Sequence, residues 1–379
     1  MRALKSADIF CEVIDNFGDI GVCWRLARQL AQQEGLAVTL WVNDLARLQH
    51  LRPAIDPQCA MQHCDGFAVR LWLADAAELA SPADLVIEAF GCKLPASYIN
   101  AMASRTTAPV WINLEYLSAE SWVEGCHRLR SPHPQLPLTK YFYFPGFTEG
   151  TGGLLQEAGL PAPRSQGQQD AQRRAAFLAQ LGVQVAADAT LVSLFCYPSA
   201  PLEALFAAMQ ADAPVTCLVP AGVASAALAN FMQKPAAAGA CFTKGKLTVQ
   251  ILPFLEPDAY DLLLWCCDLN FVRGEDSLVR AQWAGQPFVW QLYKQEDAAH
   301  LEKMDAFLAH YAAGLAPPLT AILQRSWLAW NGDATAVPDW PGLFASLSEL
   351  RAQGAQWRAQ LSAHDELARG LVEFARKIG

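Results

Sequence analysis

Short, unbroken apolar runs separated by segments of helical periodicity constrain this chain more than any other feature. Residues 36–42, 68–73, 84–90 and 109–114 are rich in Val, Leu, Ile and Trp, without polar alternation. A strand with one wet face alternates, whereas a parallel strand covered on both faces does not. Parallel neighbours need a long crossover, and helical patterns such as residues 94–104, behind Gly91, fill the gaps. The pattern predicts βαβ units with right-handed crossovers in a doubly wound sheet.

A second series of buried strands is expected at 190–196, 215–219, 248–252, 269–272 and 288–291. Between the two series the texture changes. Ser131–Pro137 reads as loop and is followed by Tyr141–Phe147 and Thr151-Gly152-Gly153-Leu154. Residues 161–169 are proline-rich and polar, as an exposed linker is, and an amphipathic helix is expected at 173–181. Residues 350–378 read as helical. With 379 residues the chain exceeds one ordinary core. The expected class is α/β, with two Rossmann-like domains facing each other across a cleft. Their expected bounds are 1–160 and 186–350, joined by a linker and connecting helix at 161–185 and followed by a C-terminal helix at 351–379. No repeat of solenoid period is visible.

Composition removes several function classes. A net charge of −9, from 28 basic and 37 acidic residues, lacks the basic stripe that sequence-independent nucleic-acid binding needs. Most of the 11 cysteines lie inside apolar runs such as Leu194-Phe195-Cys196-Tyr197, where they pack as small hydrophobes. No C-x-x-C occurs, and Cys59-Ala60-Met61-Gln62-His63-Cys64 lacks the second ligand pair of a zinc site, so no metal is expected. No apolar run reaches the roughly 18 residues needed to span a bilayer. Met1-Arg2-Ala3-Leu4-Lys5-Ser6 runs straight into the first strand with no leader-like apolar stretch. A cytoplasmic, reduced protein away from membranes is expected.

Two segments concentrate polar chemistry. Asp15-Asn16-Phe17-Gly18-Asp19-Ile20-Gly21 sits between a buried strand, residues 8–14, and a helix in which Val22, Leu26, Leu30 and Ala31 recur with Arg25 and Arg28 outward. Ligands of open α/β sheets bind beyond the carboxyl ends of the strands. Carboxylates at that position suit a cationic or proton-donating substrate. A plain N-cap role for Asp19 and a turn role for Asp15 fit the spacing equally well.

The second segment, Asn270-Phe271-Val272-Arg273-Gly274-Glu275-Asp276-Ser277, again runs strand, turn, helix. Ser277 or Asp276 is expected to cap the helix. A helix tip with Arg273 and the Ser277 hydroxyl suits a phosphate, while Glu275 and Asp276 suit sugar hydroxyls. The combination reads as a nucleotide-sugar site, although first-turn acids also serve simply as helix-dipole partners. Phe254 and Tyr293, each following a strand, suit stacking on a base or a bond to a phosphate, although in so apolar a chain a core role is the commoner one for any single aromatic. There is no G-x-G-x-x-G after a strand, no P-loop lysine motif, no Asp-x-Asp pair and no G-x-S-x-G. Dinucleotide, ATP, metal-diphosphate and serine-hydrolase readings therefore lose support.

These segments, with Ile112-Asn113-Leu114-Glu115-Tyr116-Leu117-Ser118-Ala119-Glu120, Pro145-Gly146-Phe147 and Gly285-Gln286-Pro287-Phe288-Val289-Trp290, resemble the bacterial elongation factor P arginine rhamnosyltransferases over nearly the whole chain. The resemblance implies a GT-B glycosyltransferase, inverting and metal-independent, with no cofactor. It implies transfer of L-rhamnose from dTDP-β-L-rhamnose to an arginine of elongation factor P. By motif position it implies catalytic roles for Asp19, Asp15 and Glu275. Donor contacts are implied for Asn16, Phe17, Gly18, Phe195, Tyr197, Phe254, Arg273, Glu275, Asp276, Ser277 and Tyr293, and acceptor contacts for Asp15, Asp19, Glu115 and Tyr116. A GT-B enzyme acting on a lipid or polysaccharide, and a non-catalytic nucleotide-sugar-binding module, are the alternatives.

Overall fold

A computed structural model of the chain describes residues 3–13, 18–72, 81–165, 167–295 and 298–379. Two compact units emerge, Met1–Ala158 with Leu361–Gly379, and Gly159–Gln360.

The first unit opens with β1 (Ser6–Cys11), α1 (Gly18–Gln32), β2 (Ala37–Val42), α2 (Leu45–Leu51), β3 (Met61–Cys64) and β4 (Phe67–Leu71). It continues through β5 (Leu85–Ala89), α3 (Ala96–Ser104), β6 (Val110–Leu114), α4 (Trp122–Cys126), β7 (Arg130–Pro132) and β8 (Thr139–Tyr143). The strands form one sheet of order β3-β4-β2-β1-β5-β6-β8-β7, in which β3 and β7 pair antiparallel and the others parallel. Side chains alternate across the sheet. Ile9, Cys11, Ile87 and Leu114 pack under α1 on one face, while Phe10, Val86, Trp111 and Tyr98 pack on the other. Both faces are dry, which is why the sequence shows runs rather than alternation.

The second unit contains α5 (Gln168–Gln180), β9 (Thr190–Leu194), α6 (Leu202–Ala211), β10 (Val215–Pro220), α7 (Ser225–Met232), β11 (Cys241–Lys244) and β12 (Leu247–Leu252). It goes on through α8 (Pro257–Cys266), β13 (Leu269–Arg273), α9 (Gly274–Ala284), β14 (Phe288–Gln291), α10 (Ala299–Tyr311), α11 (Pro317–Trp330), α12 (Trp340–Ala345) and α13 (Leu347–Leu361). Its sheet has the order β11-β12-β10-β9-β13-β14, with β11 antiparallel. Phe271, Phe288, Phe307, Tyr311, Trp327 and Trp330 interlock in a buried aromatic core.

Two expectations change. The helical stretch from residue 350 breaks in two, and α14 (Leu367–Ile378) packs on the first unit against α1. The Glu366 carboxylate caps α14 by accepting the N–H groups of Ala368 and Arg369, and Leu154 bridges to Glu366. Gly152 and Gly153 allow this docking. A Cβ at Gly153, whose φ is +70°, would meet the Asp365 carbonyl oxygen at 1.8 Å, and one at Gly152 would meet the Tyr143 ring at 2.3 Å. In addition, Arg25 and Arg28 do not face outward. Both converge on Glu157, at 3.3 and 2.7 Å, because residues 154–157 return over that side of α1.

Candidate functional site

In each sheet the chain first adds strands on one side of its opening strand and then crosses to the other. The reversal falls between β1 and β5 in the first unit and between β9 and β13 in the second. The carboxyl ends flanking such a reversal splay apart and leave a crevice for ligands. Gly18–Gly21 of the first polar segment and all of the second sit at these two rims.

At the first rim, Gly18 opens α1 and Asp19 follows in its first turn, with the aspartate buried at 5% exposure. Asp15, Asn16 and Phe17 lie outside the described residues. Cys11 and Cys23 pack beneath, and burial pushes the Cys23 thiol well up, with the Asp19 charge adding to it. Two strands along, Glu115 leaves β6 with its N–H bonded to the Tyr143 carbonyl at 2.9 Å. Its carboxylate accepts the Asn113 amide. Burial raises the Glu115 pKa and the nearby Glu88 charge adds to it, while Asn113 and Lys140 pull it back. Glu88 itself pairs with Lys140 at 3.1 Å and accepts Trp111 Nε1–H at 3.0 Å. Tyr116 is 39% exposed and stacks on Phe90, with centroids 4.6 Å apart and planes 17° apart.

At the second rim, the Arg273 guanidinium lies over the rings of Phe195 and Tyr197, at 4.4 and 4.7 Å, and donates to the Cys196 carbonyl at 2.9 Å. Cation–π contact and that carbonyl together fix the direction of the positive charge. Tyr197 is held in turn by its N–H to Gln291 Oε1, 2.8 Å, and its ring meets Tyr293 edge-on at 5.8 Å. Tyr293 and Phe254 are exposed. Glu275 pairs with Lys303 at 3.1 Å, and Asp276 is half-buried beside it in the first turn of α9.

The helix itself begins at Gly274, ahead of both expected caps, Asp276 and Ser277. Gly274, at φ +63°, turns the chain directly from β13 into α9, and its carbonyl accepts Trp290 Nε1–H at 2.8 Å. Ser277 consequently stands inside the first turn, 4% exposed. Its hydroxyl accepts the Arg273 N–H at 3.0 Å and donates to the Arg273 carbonyl. Ser277 thus locks the strand-to-helix turn that carries Arg273.

Several side chains at these rims carry no signal in sequence spacing. Asn113, Gln291, Lys303 and Tyr260, whose ring rests 5.5 Å from Phe195, reach their partners only through the fold. Phe90 reads as the end of an apolar run. Among the described residues, no group of three or more His, Cys, Asp or Glu is arranged to hold a metal ion, and no helix is long and apolar enough to cross a membrane.

With this geometry in place, the likeness to known proteins becomes specific. Residues 7–376 match the family described as elongation factor P rhamnosyltransferase EarP. A protein-arginine rhamnosyltransferase of Pseudomonas putida is 50% identical over 371 residues, spanning 97% of this chain and 98% of its own. A second, from Pseudomonas aeruginosa, is 46% identical over 98% of this chain and 99% of its own. A solved structure showing the basis of EarP-mediated arginine glycosylation of translation elongation factor EF-P is 38% identical. It covers 99% of this chain and 100% of that one, with a TM-score of 0.69.

Proposed function

The chain belongs to the elongation factor P rhamnosyltransferase (EarP) family and is a protein-arginine rhamnosyltransferase of GT-B fold; from that premise we propose that it moves L-rhamnose from dTDP-β-L-rhamnose to one arginine of elongation factor P, with inversion at the sugar. The observation that carries the reading is the contrast of charge at the two rims. An aspartate stands at the switch point of the first unit, and a guanidinium fixed on two aromatic rings stands at that of the second. The first suits a cationic acceptor and the second an anionic donor.

In this reading the second unit takes the nucleotide sugar. Arg273 and the tip of α9 face the diphosphate, Phe195, Tyr197, Phe254 and Tyr293 border the nucleoside, and Glu275 and Asp276 meet hydroxyls of the sugar. Ser277 keeps Arg273 in place through its backbone. The first unit takes the arginine, with Asp19 and Asp15 on the guanidinium and Glu115 and Tyr116 at the neighbouring strand end. Glu275 is assigned a share in the chemical step.

An arginine side chain is a weak nucleophile because its lone pairs are delocalised and its pKa exceeds about 12. An ordinary carboxylate, near pKa 3.9, does not deprotonate it in the ground state. Asp19 instead orients the guanidinium by charge-assisted hydrogen bonds. As a guanidinium nitrogen bonds to the anomeric carbon, the carbon–oxygen bond to dTDP breaks and Asp19 takes the nitrogen's proton. The charge developing on the departing diphosphate falls to Arg273 and the helix tip, so the step is proposed to run without a metal or cofactor. Action on a translation factor places the protein in the cytoplasm.

The test is direct. Purified protein, elongation factor P and dTDP-β-L-rhamnose are combined, and the acceptor is weighed intact. A gain of one deoxyhexose, mapped to a single arginine with an α-linkage, is expected. An unmodified acceptor, or a sugar on any other residue type, overturns the assignment.

A further inference from the structure

We propose that Asn331, a buried residue at the end of α11, is a positioning residue for nucleotide-sugar binding: its amide straps down the end of β14 and, through Gln291, the aromatic side of the donor site. The proposal rests on reading the second unit as the donor side. β14 is the last strand of its sheet and pairs with β13. On such an edge, backbone groups that point away from the neighbouring strand have no ladder partner. At the end of β14 one side chain takes two of them. The Leu292 N–H donates to Asn331 Oδ1 at 2.8 Å, and Asn331 Nδ2 donates to the Trp290 carbonyl at 2.8 Å. A carboxamide carries an acceptor and a donor side by side, as a peptide group of a further strand would. It therefore brackets Gln291 from both sides.

The strap is itself held. Asn331 Nδ2 also donates to the Trp327 carbonyl at 2.9 Å, within α11, and the Asn331 carbonyl lies 3.2 Å from Nε2 of the buried His300. His300 Nδ1 accepts the Gln295 N–H at 3.4 Å, so Nε2 carries the proton and donates to Asn331. Asn331 and His300 thus tie the chain at Trp290, Leu292 and Gln295. What they tie is the segment that orders the donor-side aromatics. Gln291, in register with Arg273, presents Oε1 to the Tyr197 N–H at 2.8 Å. Tyr197 lies under the Arg273 guanidinium at 4.7 Å, and its ring meets Tyr293, two residues beyond Gln291, at 5.8 Å. A buried amide with both its oxygen and its nitrogen engaged keeps that strand end in one place. Without it, the Trp290 carbonyl and the Leu292 N–H lose their partner, and Gln291 has no fixed point from which to hold Tyr197. The cost of ordering Tyr197 and Tyr293 then falls on nucleotide binding.

Calorimetric titration of the full chain with dTDP tests the strap. Asn331→Asp keeps the oxygen that faces Leu292 but replaces the donating nitrogen with an oxygen, set against the Trp290 and Trp327 carbonyls. Asn331→Ala removes both bonds. Each is expected to weaken dTDP about fivefold and to raise the nucleotide-sugar KM alike, with the KM for elongation factor P unchanged. Asp339→Ala is the comparison. It removes the cap of α12, whose carboxylate accepts the Gly342 N–H at 2.9 Å, and is expected to lower the melting temperature while dTDP affinity holds. Hydrogen exchange should quicken over residues 290–293 and 195–198 in the Asn331 variants while β10 stays protected. Gln291→Leu breaks the last link, so adding Asn331→Ala to it should weaken dTDP no further. Unchanged dTDP affinity in a folded Asn331 variant, an equal loss in Asp339→Ala, or full additivity with Gln291→Leu overturns the strap. Asn331 variants that both fail to fold also overturn it, since the residue is then a support of the core. A wild-type protein that does not bind dTDP overturns the donor reading of the second unit instead, and that failure is seen before any variant is compared.

Discussion

The two sheets are wired alike at their bases and unlike at their rims. Each enters the strand beyond its switch point through an aspartate clamped by arginine. Asp84, before β5, accepts the Lys5 N–H at 3.0 Å and pairs with Arg105 at 2.9 Å, and Arg105 also donates to the carbonyls of Pro82 and Ala83. Asp268, before β13, accepts the Leu191 N–H at 3.0 Å and pairs with Arg164 at 2.7 Å, and Arg164 also donates to the carbonyls of Trp265 and Cys266. At the opposite ends the likeness stops. One rim presents an acid on a helix, the other a guanidinium over two aromatic rings. The wiring repeats at the bases, while the rims differ in the charge they present. Similar architecture therefore says little about what either rim binds.

That comparison breaks most readily at the rims. Asp19→Asn is expected to lower kcat about a thousandfold while nucleotide binding, followed by calorimetry, stays intact. Loss of both together would mean that the first rim supports the fold rather than the chemistry. Arg273→Ala should act in the complementary way, weakening donor affinity by about 10–100-fold through the loss of a charge-assisted contact. A variant that binds the nucleotide sugar normally would remove the second rim from the donor site.

The bases should respond in stability, not in turnover per folded molecule. Asp268 also pairs with Arg174 at 3.0 Å and Arg351 at 3.2 Å. Asp268→Asn is expected to cost about 3 kcal/mol and Asp84→Asn about half as much, measured by denaturant unfolding of each variant. Equal losses would show that the extra arginines contribute nothing measurable. The smallest effect belongs to His127, whose pKa is lowered by burial, with the Arg128 charge adding to it, from an ordinary 6.5 to about 4. Its Nδ1 accepts the Phe144 N–H at 3.1 Å, so protonation breaks a bond the fold relies on. The folded state resists protonation. The stabilising contribution is therefore full above pH 6.5, falls as the pH drops and is gone below about pH 4. Melting temperatures across that window should fall more steeply in the wild type than in His127→Asn.

Much of this was legible in residue order. Unbroken apolar runs marked the central parallel strands because burial on both faces forbids alternation. The edge strands Met61–Cys64, Arg130–Pro132 and Cys241–Lys244 escaped notice because their half-exposed residues are polar and short, as solvent-facing edges are. The acid-glycine and arginine-glycine segments were visible because a strand-to-helix turn demands small residues next to the groups it displays. Their local detail was not. Arg25 reads as outward until Glu157 arrives from 132 positions away, and Ser277 reads as a cap until Gly274 starts the helix early.

The sequence by itself determined the α/β class and the family. These are fixed by periodicity and residue type, which act over a few neighbours. Only the tertiary structure decided which groups meet. It brought Glu157 onto Arg25, the C-terminal helix onto Gly152 and Gly153, Phe195 and Tyr197 under Arg273, and Phe90 onto Tyr116. Such pairings depend on how distant segments close over one another, and the free energy of a contact between them has no trace in the order of residues within either.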